Sequence, residues 1–116
     1  MSMDGRTITN PFNIKLKPFN KDNVAIVNMS WYEISFDQKK GLGTYILSML
    51  PGAKSIPHER LEFEEVYMLE GELIDADGAV FKKGEIITFE PGTTSSHHST
   101  KGCMLLVFMR GANTPL

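Results

Sequence analysis

The sequence has one cysteine, Cys103, so no internal disulfide can form, and a reducing, cytoplasmic setting is expected. It has no run of about 18 apolar residues, which excludes a membrane-spanning helix. The opening MSMDGRTITN lacks an apolar stretch and does not read as a secretory leader. There is no excess of one charge: 12 Lys and Arg against 14 Asp and Glu leave a formal net charge of -2. The cations are scattered, apart from the pairs Lys39-Lys40 and Lys82-Lys83. That distribution argues against nucleic acid and against an anionic membrane surface as partners. No internal repeat or low-complexity tract is present. What remains, 41% hydrophobic and 22% charged residues, is the composition of an ordinary globular domain. A chain of this length buries about two-thirds of its unfolded surface.

Residues 1–22 are polar, contain two prolines and show little periodicity, and are expected to form an arm. Residues 23–116 alternate short apolar runs with turn residues, the pattern of an all-β barrel. Strands are expected near Ala25–Met29, Trp31–Ser35, Thr44–Leu50, Lys54–His58, Glu64–Glu70, Glu72–Asp75, Ala79–Phe81, Glu85–Phe89 and Cys103–Met109. Asp77-Gly78 is the strongest hairpin signal, because glycine adopts positive φ at little cost. Further turns are read at Gly41–Gly43, Pro51-Gly52, Lys83-Gly84 and Pro91-Gly92, which leaves little room for a long helix. Alternation puts Tyr45, Leu47, Val66, Met68, Phe89, Leu105 and Val107 inside. Trp31 and Tyr32 are expected to cover one edge of the barrel.

Three histidines are few enough for each to matter. His58 and Arg60 are two residues apart, so on a strand both point to one face, and Glu64 opens the next strand after a short turn. This trio admits two readings. An imidazole beside a carboxylate is the nucleus of a zinc, iron, manganese or nickel site. Equally, Arg60 and Glu64 form an ion pair with His58 as a hydrogen-bonding neighbour. His97 and His98 lie in the segment TTSSHHST; alternation lets at most one face inward, as a third metal ligand or not at all. Asp75-Ala76-Asp77-Gly78 is read as a turn rather than a calcium loop, since its glycine comes too early and Ile86 stands where the closing glutamate belongs. Cys103 is read as a packed thiol and not as a nucleophile. Glu62, Glu65, Glu70 and Glu72 form a solvated acidic face.

These spacings resemble the cupin superfamily, whose first motif runs G-x5-H-x-H-x3-4-E-x6-G. Gly52, His58, Glu64 and Gly71 fall in register, with Arg60 where the second histidine is usual. In the second motif Gly84 and Gly92 match, Glu90 replaces the proline with Pro91 beside it, Ser95 takes the histidine position and Ser99 the asparagine position. The link LEGELIDADGAVFKKGEI and the trailing Lys101-Gly102-Cys103 resemble the cupin domain of ChrR-type anti-sigma factors and the small stand-alone cupins similar to it, over about residues 42–110.

The resemblance implies a double-stranded β-helix, the cupin or jelly-roll barrel, with a central pocket. It also implies a divalent metal held by the motif residues, of which only His58 and Glu64 are present. Arginine cannot ligate a metal and competes for the carboxylate. The expectation is therefore a barrel that binds a small polar or anionic ligand through His58, Arg60, Glu64 and Ser95, over a degenerate metal site. The alternative is a metal-dependent, dioxygenase-like enzyme with one Zn, Fe, Mn or Ni ion on His58, Glu64 and His97 or His98. A sensing role would need a separate partner protein. A homodimer is expected, with Ile8, Phe12, Ile14 and Leu16 of the arm adding a strand to the other subunit.

Overall fold

The computed structural model describes residues 4–21 and 23–116; residues 1–3 and Asp22, all within the expected arm, lie outside the described residues. Twelve strands follow one another: β1 (Lys17–Lys21), β2 (Val24–Asp37), β3 (Leu42–Met49), β4 (Ala53–Lys54), β5 (His58–Arg60), β6 (Glu64–Ile74), β7 (Val80–Lys82), β8 (Ile86–Phe89), β9 (Thr94–Ser95), β10 (His98–Ser99), β11 (Cys103–Arg110) and β12 (Asn113–Pro115). Nine of them form a curled sheet in the order β1-β2-β3-β11-β6-β10-β4, with β7 and β8 also paired to β6. A smaller sheet, β12-β5-β9, covers it. Every pairing is antiparallel, and among the described residues there is no helix.

Alternation builds the core. Tyr45, Leu47, Val66, Met68, Phe89, Leu105 and Val107 are all buried, as the period of two requires. Trp31 does not cover an edge: it is only 4% exposed and joins the core cluster. Its ring meets Phe19 edge-on at 4.8 Å and Tyr45 at 5.3 Å, and Phe36 stands 4.9 Å from Tyr45. A buried aromatic cluster thus ties β1, β2 and β3 together.

Strand boundaries differ from expectation where backbone pairing ignores side-chain type. Two expected strands fuse into β2, because Ser30 keeps its place in the ladder opposite Ser48 and Pro18. Two others fuse into β6 through Gly71, whose φ of +75° bends the strand from its pairing with β11 and β8 toward β7 and β10. A side chain at Gly71 would strike the Gly102 carbonyl, and one at Gly43 (φ +123°) the Ser35 carbonyl. Both contacts sit beside register shifts in the neighbouring strands. The expected strand Lys54–His58 is broken instead, since Ser55 turns aside to bond His97 and Pro57 has no N–H to offer. Within the expected arm, Lys17–Lys21 form β1 and pair with β2 of the same chain.

Candidate functional site

β5 is three residues long and lies between β12 and β9, with His58 opposite Pro115 and Ser95 and with Arg60 opposite Asn113. His58 and Arg60 share a face, as their spacing requires, and both are buried. Arg60 has no exposed surface at all. Its Nε donates to Glu64 Oε1 at 3.1 Å, and its Nη1 donates to Thr93 Oγ1 at 3.2 Å and to the Thr94 carbonyl at 3.1 Å. The guanidinium carbon stacks 3.6 Å above the centroid of the Phe89 ring. Nη2 is buried without a partner.

Beside this cluster lies a cavity of about 830 Å³ between the two sheets. Its aromatic wall comes from Phe19, Trp31, Phe36 and Tyr45 on β1, β2 and β3. The polar residues on its surface include His58, Glu64, Ser95, His97 and Asn113. Of the residues expected here, Arg60 is absent from the wall: it reaches the cavity only through Glu64. His97 lines it, whereas His98 sits half-buried on β10 opposite Lys54 and Ile74 and does not. Phe19, Lys21, Trp31 and Asn113 were not expected on this wall. Asn113 has no motif around it and arrives only because β12 pairs with β5; Phe19 and Lys21 lie in what read as an arm.

Protonation in the site follows burial. Desolvation holds His58 down to about 4, opposed by the Ile56 carbonyl and reinforced by Lys21, Arg60 and His97. Its Nδ1 lies 3.0 Å from that carbonyl, which can only accept, so the proton is on Nδ1 and Nε2 carries a bare lone pair. That Nε2 is buried and unpartnered. His97 is also held down to about 4 by burial, against the pull of Asp75. Its Nδ1 is 3.0 Å from Ser95 Oγ, and Asp75 Oδ1 stands 3.5 Å from Nε2, outside hydrogen-bond geometry. The carboxylate favours the proton on Nε2, so Nδ1 accepts from Ser95. Burial pushes the Glu64 carboxyl up, against the opposing pull of Arg60, Lys21 and Asn113. Burial likewise raises the Tyr45 phenol, with Glu64 adding to the effect. Cys103 is buried and its thiol is pushed up by desolvation, which suits packing and not nucleophilic attack.

Residues 14–112 match the family model of the ChrR cupin-like domain. The chain belongs to that family. Solved structures agree on the fold. A protein of Ralstonia eutropha JMP134 with a cupin-like fold is 15% identical, covers 77% of this cupin and superposes with a TM-score of 0.70. This cupin spans 59% of that chain's length. An acetylacetone dioxygenase from Acinetobacter johnsonii is 12% identical, with 94% of this chain and 80% of that one covered and a TM-score of 0.69. The polyketide cyclase RemF from Streptomyces resistomycificus is 17% identical, with 96% and 85% covered and a TM-score of 0.74. No curated protein matches the chain. No helix among the described residues is long and apolar enough to cross a membrane.

Cupins often hold a metal ion. Here the donor set does not fit one: among the described residues no group of three or more His, Cys, Asp or Glu side chains is placed to hold a metal. Glu64 is engaged by Arg60, and His97 turns its Nε2 toward Asp75.

Proposed function

We propose that this cupin is a small-molecule binding module whose barrel takes a small polar organic ligand, with its metal site degenerate. The observation that carries this reading is a cavity of about 830 Å³ lined by His58, whose Nε2 is buried and unpaired. Glu64, Ser95, His97 and Asn113 share that wall, so a polar ligand meets several polar side chains beside the aromatic ones. The buried Arg60–Glu64 pair supports the metal-poor side of the reading, because the carboxylate already has its cation. A reducing cytoplasm suits the lone, buried Cys103.

A second reading, a metal-dependent dioxygenase, draws on the same imidazole. An Nδ1–H held by a carbonyl, with Nε2 left bare, is how metal-ligating histidines are oriented. It requires a third donor and the release of Glu64 from Arg60. Metal analysis after reconstitution with Zn, Fe, Mn or Ni separates the two. The binding module predicts far less than one metal per chain, unchanged in His58→Ala. Near-stoichiometric metal that disappears in His58→Ala would overturn it.

A further inference from the structure

From the charges around the cavity we infer that its ligand is an organic anion, with one carboxylate-like group facing Lys21 and Lys39 and a body of mixed polar and apolar surface. This rests on the binding-module reading and narrows it. Cations that are scattered along the sequence converge on the cavity. Lys17 and Lys21 of β1 and Lys39 of the turn between β2 and β3 line it, against one carboxylate among the described residues, Glu64. That carboxylate is already held by Arg60 at 3.1 Å, and Lys17 by Glu33 at 3.2 Å. The Lys39 ammonium has no ion pair among the described residues. Lys21 is half-buried, and its charge reaches the polar groups inside, drawing both the Glu64 carboxyl and the His58 imidazole down.

By count, then, the lining is cationic, and a cleft with low-dielectric walls focuses that field on whatever enters it. A cationic ligand would meet the lysines, and the carboxylate that could hold it is engaged from behind the wall. The sequence points to Arg60 as the group for an anion, but its guanidinium is spent on Glu64, Thr93 and the Thr94 carbonyl and does not line the cavity. The lysines take that part. A volume of about 830 Å³ is in the range of small-molecule sites and far exceeds an inorganic ion, which makes the anion an organic one. Its body meets the rings of Phe19, Trp31 and Tyr45 as well as Ser95, His97 and Asn113, so neither a bare hydrocarbon nor a wholly polar molecule matches the wall.

Phenylacetate, phenylacetamide and phenethylamine test the inference, because they share a ring and differ in charge. Trp31 is the one tryptophan in the chain and lines the cavity, so its emission reports binding alongside calorimetry. Phenylacetate should bind at least about fivefold more tightly than the neutral amide, and the amine should bind most weakly. The preference should shrink between about 20 mM and about 0.5 M salt, as screening requires. In the double variant Lys21→Met, Lys39→Met the acid and the amide should bind alike; an undiminished preference there overturns the assignment to these lysines. The wild-type ratio needs no variant, so a poorly folded double variant does not shield the inference. Equal binding of acid and amide by the wild type, or tightest binding of the amine, overturns the anion and leaves the binding module standing. Acetate binding as tightly as phenylacetate overturns the need for an organic body. Failure of all these probes to bind at millimolar concentration overturns both the inference and the binding module.

Discussion

Arg60 and Glu64 make up a pair whose worth depends on what is left when one member goes. With Arg60 fully buried and Glu64 nearly so, Arg60→Met strands a carboxylate in a dry site and should cost about 3–5 kcal/mol in urea unfolding. Adding Glu64→Gln should recover most of that loss; a double variant no more stable than the single one would show that the pair is not the unit. Arg60→His tests the same residue from the metal side. Removing the guanidinium frees Glu64, which shares the cavity wall with His58, so zinc affinity measured by calorimetry should rise at least about tenfold, and an unchanged affinity would mean that Arg60 is not what keeps metal away. The histidines set a pH dependence. His58 and His97 are held down to about 4, while an unfolded histidine titrates near 6.5. Between those values the unfolded chain binds more protons, so stability falls as the pH drops through the window. The loss approaches about 2 kcal/mol per histidine after allowance for partial solvent access. Glu64, raised by burial, acts with the opposite sign in its own window and offsets part of the slope. Urea midpoints at pH 7 and pH 4.5 should differ, and by less in His58→Gln; a pH-independent midpoint would contradict the buried neutral imidazoles.

At the scale of elements, two tight backbone contacts shape the barrel. Gly71→Ala must accept a left-handed φ and collide with the Gly102 carbonyl, so it should cost at least about 2 kcal/mol. Gly78→Ala has a similar φ of +89° but open space around it and should cost about 1 kcal/mol, a contrast that thermal melts can read. Such contacts also mark how far the sequence could be read. The period-two face of β3, β6 and β11 was legible because packing enforces it over eight or more residues. His58, Arg60 and Glu64 were legible as neighbours because a two-residue step and a short turn leave few alternatives. Strands of two or three residues, β4, β9, β10 and β12, leave no periodic trace, and their pairing is decided by distant partners. β1 escaped for a related reason: Lys17, Pro18 and Asn20 are exposed, and Phe19 is the one apolar residue that packs inward against the core. Whether Arg60 faced the cavity or lay behind it depended on Phe89, Thr93 and Thr94, some thirty residues away, which no local pattern encodes.

At the scale of the whole molecule, the outer surface of the large sheet carries an apolar row that the fold covers at Ile46 and leaves open toward β6 and β8. Register aligns Tyr32, Ile46, Leu106, Tyr67 and Ile86 across β2, β3, β11, β6 and β8, on the face opposite the core. Ile86 is 67% exposed and Tyr67 39%, with Phe108 exposed nearby. The flanking rows are mixed, with Thr44, Phe108, Glu65 and Thr88 on one side and Ser48, Met104 and Glu70 on the other. We propose that two copies of the chain pair through this face as a homodimer, each stripe shielding its mate from water. This differs from the dimer expected from the sequence, in which Ile8, Phe12, Ile14 and Leu16 of the arm add a strand to the other subunit. Sedimentation velocity of the wild type at micromolar concentration should show a dimer, and Tyr67→Lys combined with Ile86→Lys should convert it to a monomer. Both positions are partly or largely exposed in the monomer, so the double variant should keep its unfolding midpoint at matched low concentration, where the dimer contributes nothing. A wild type that sediments as a monomer would remove the proposal, and a dimer indifferent to the double variant would move the interface to another surface.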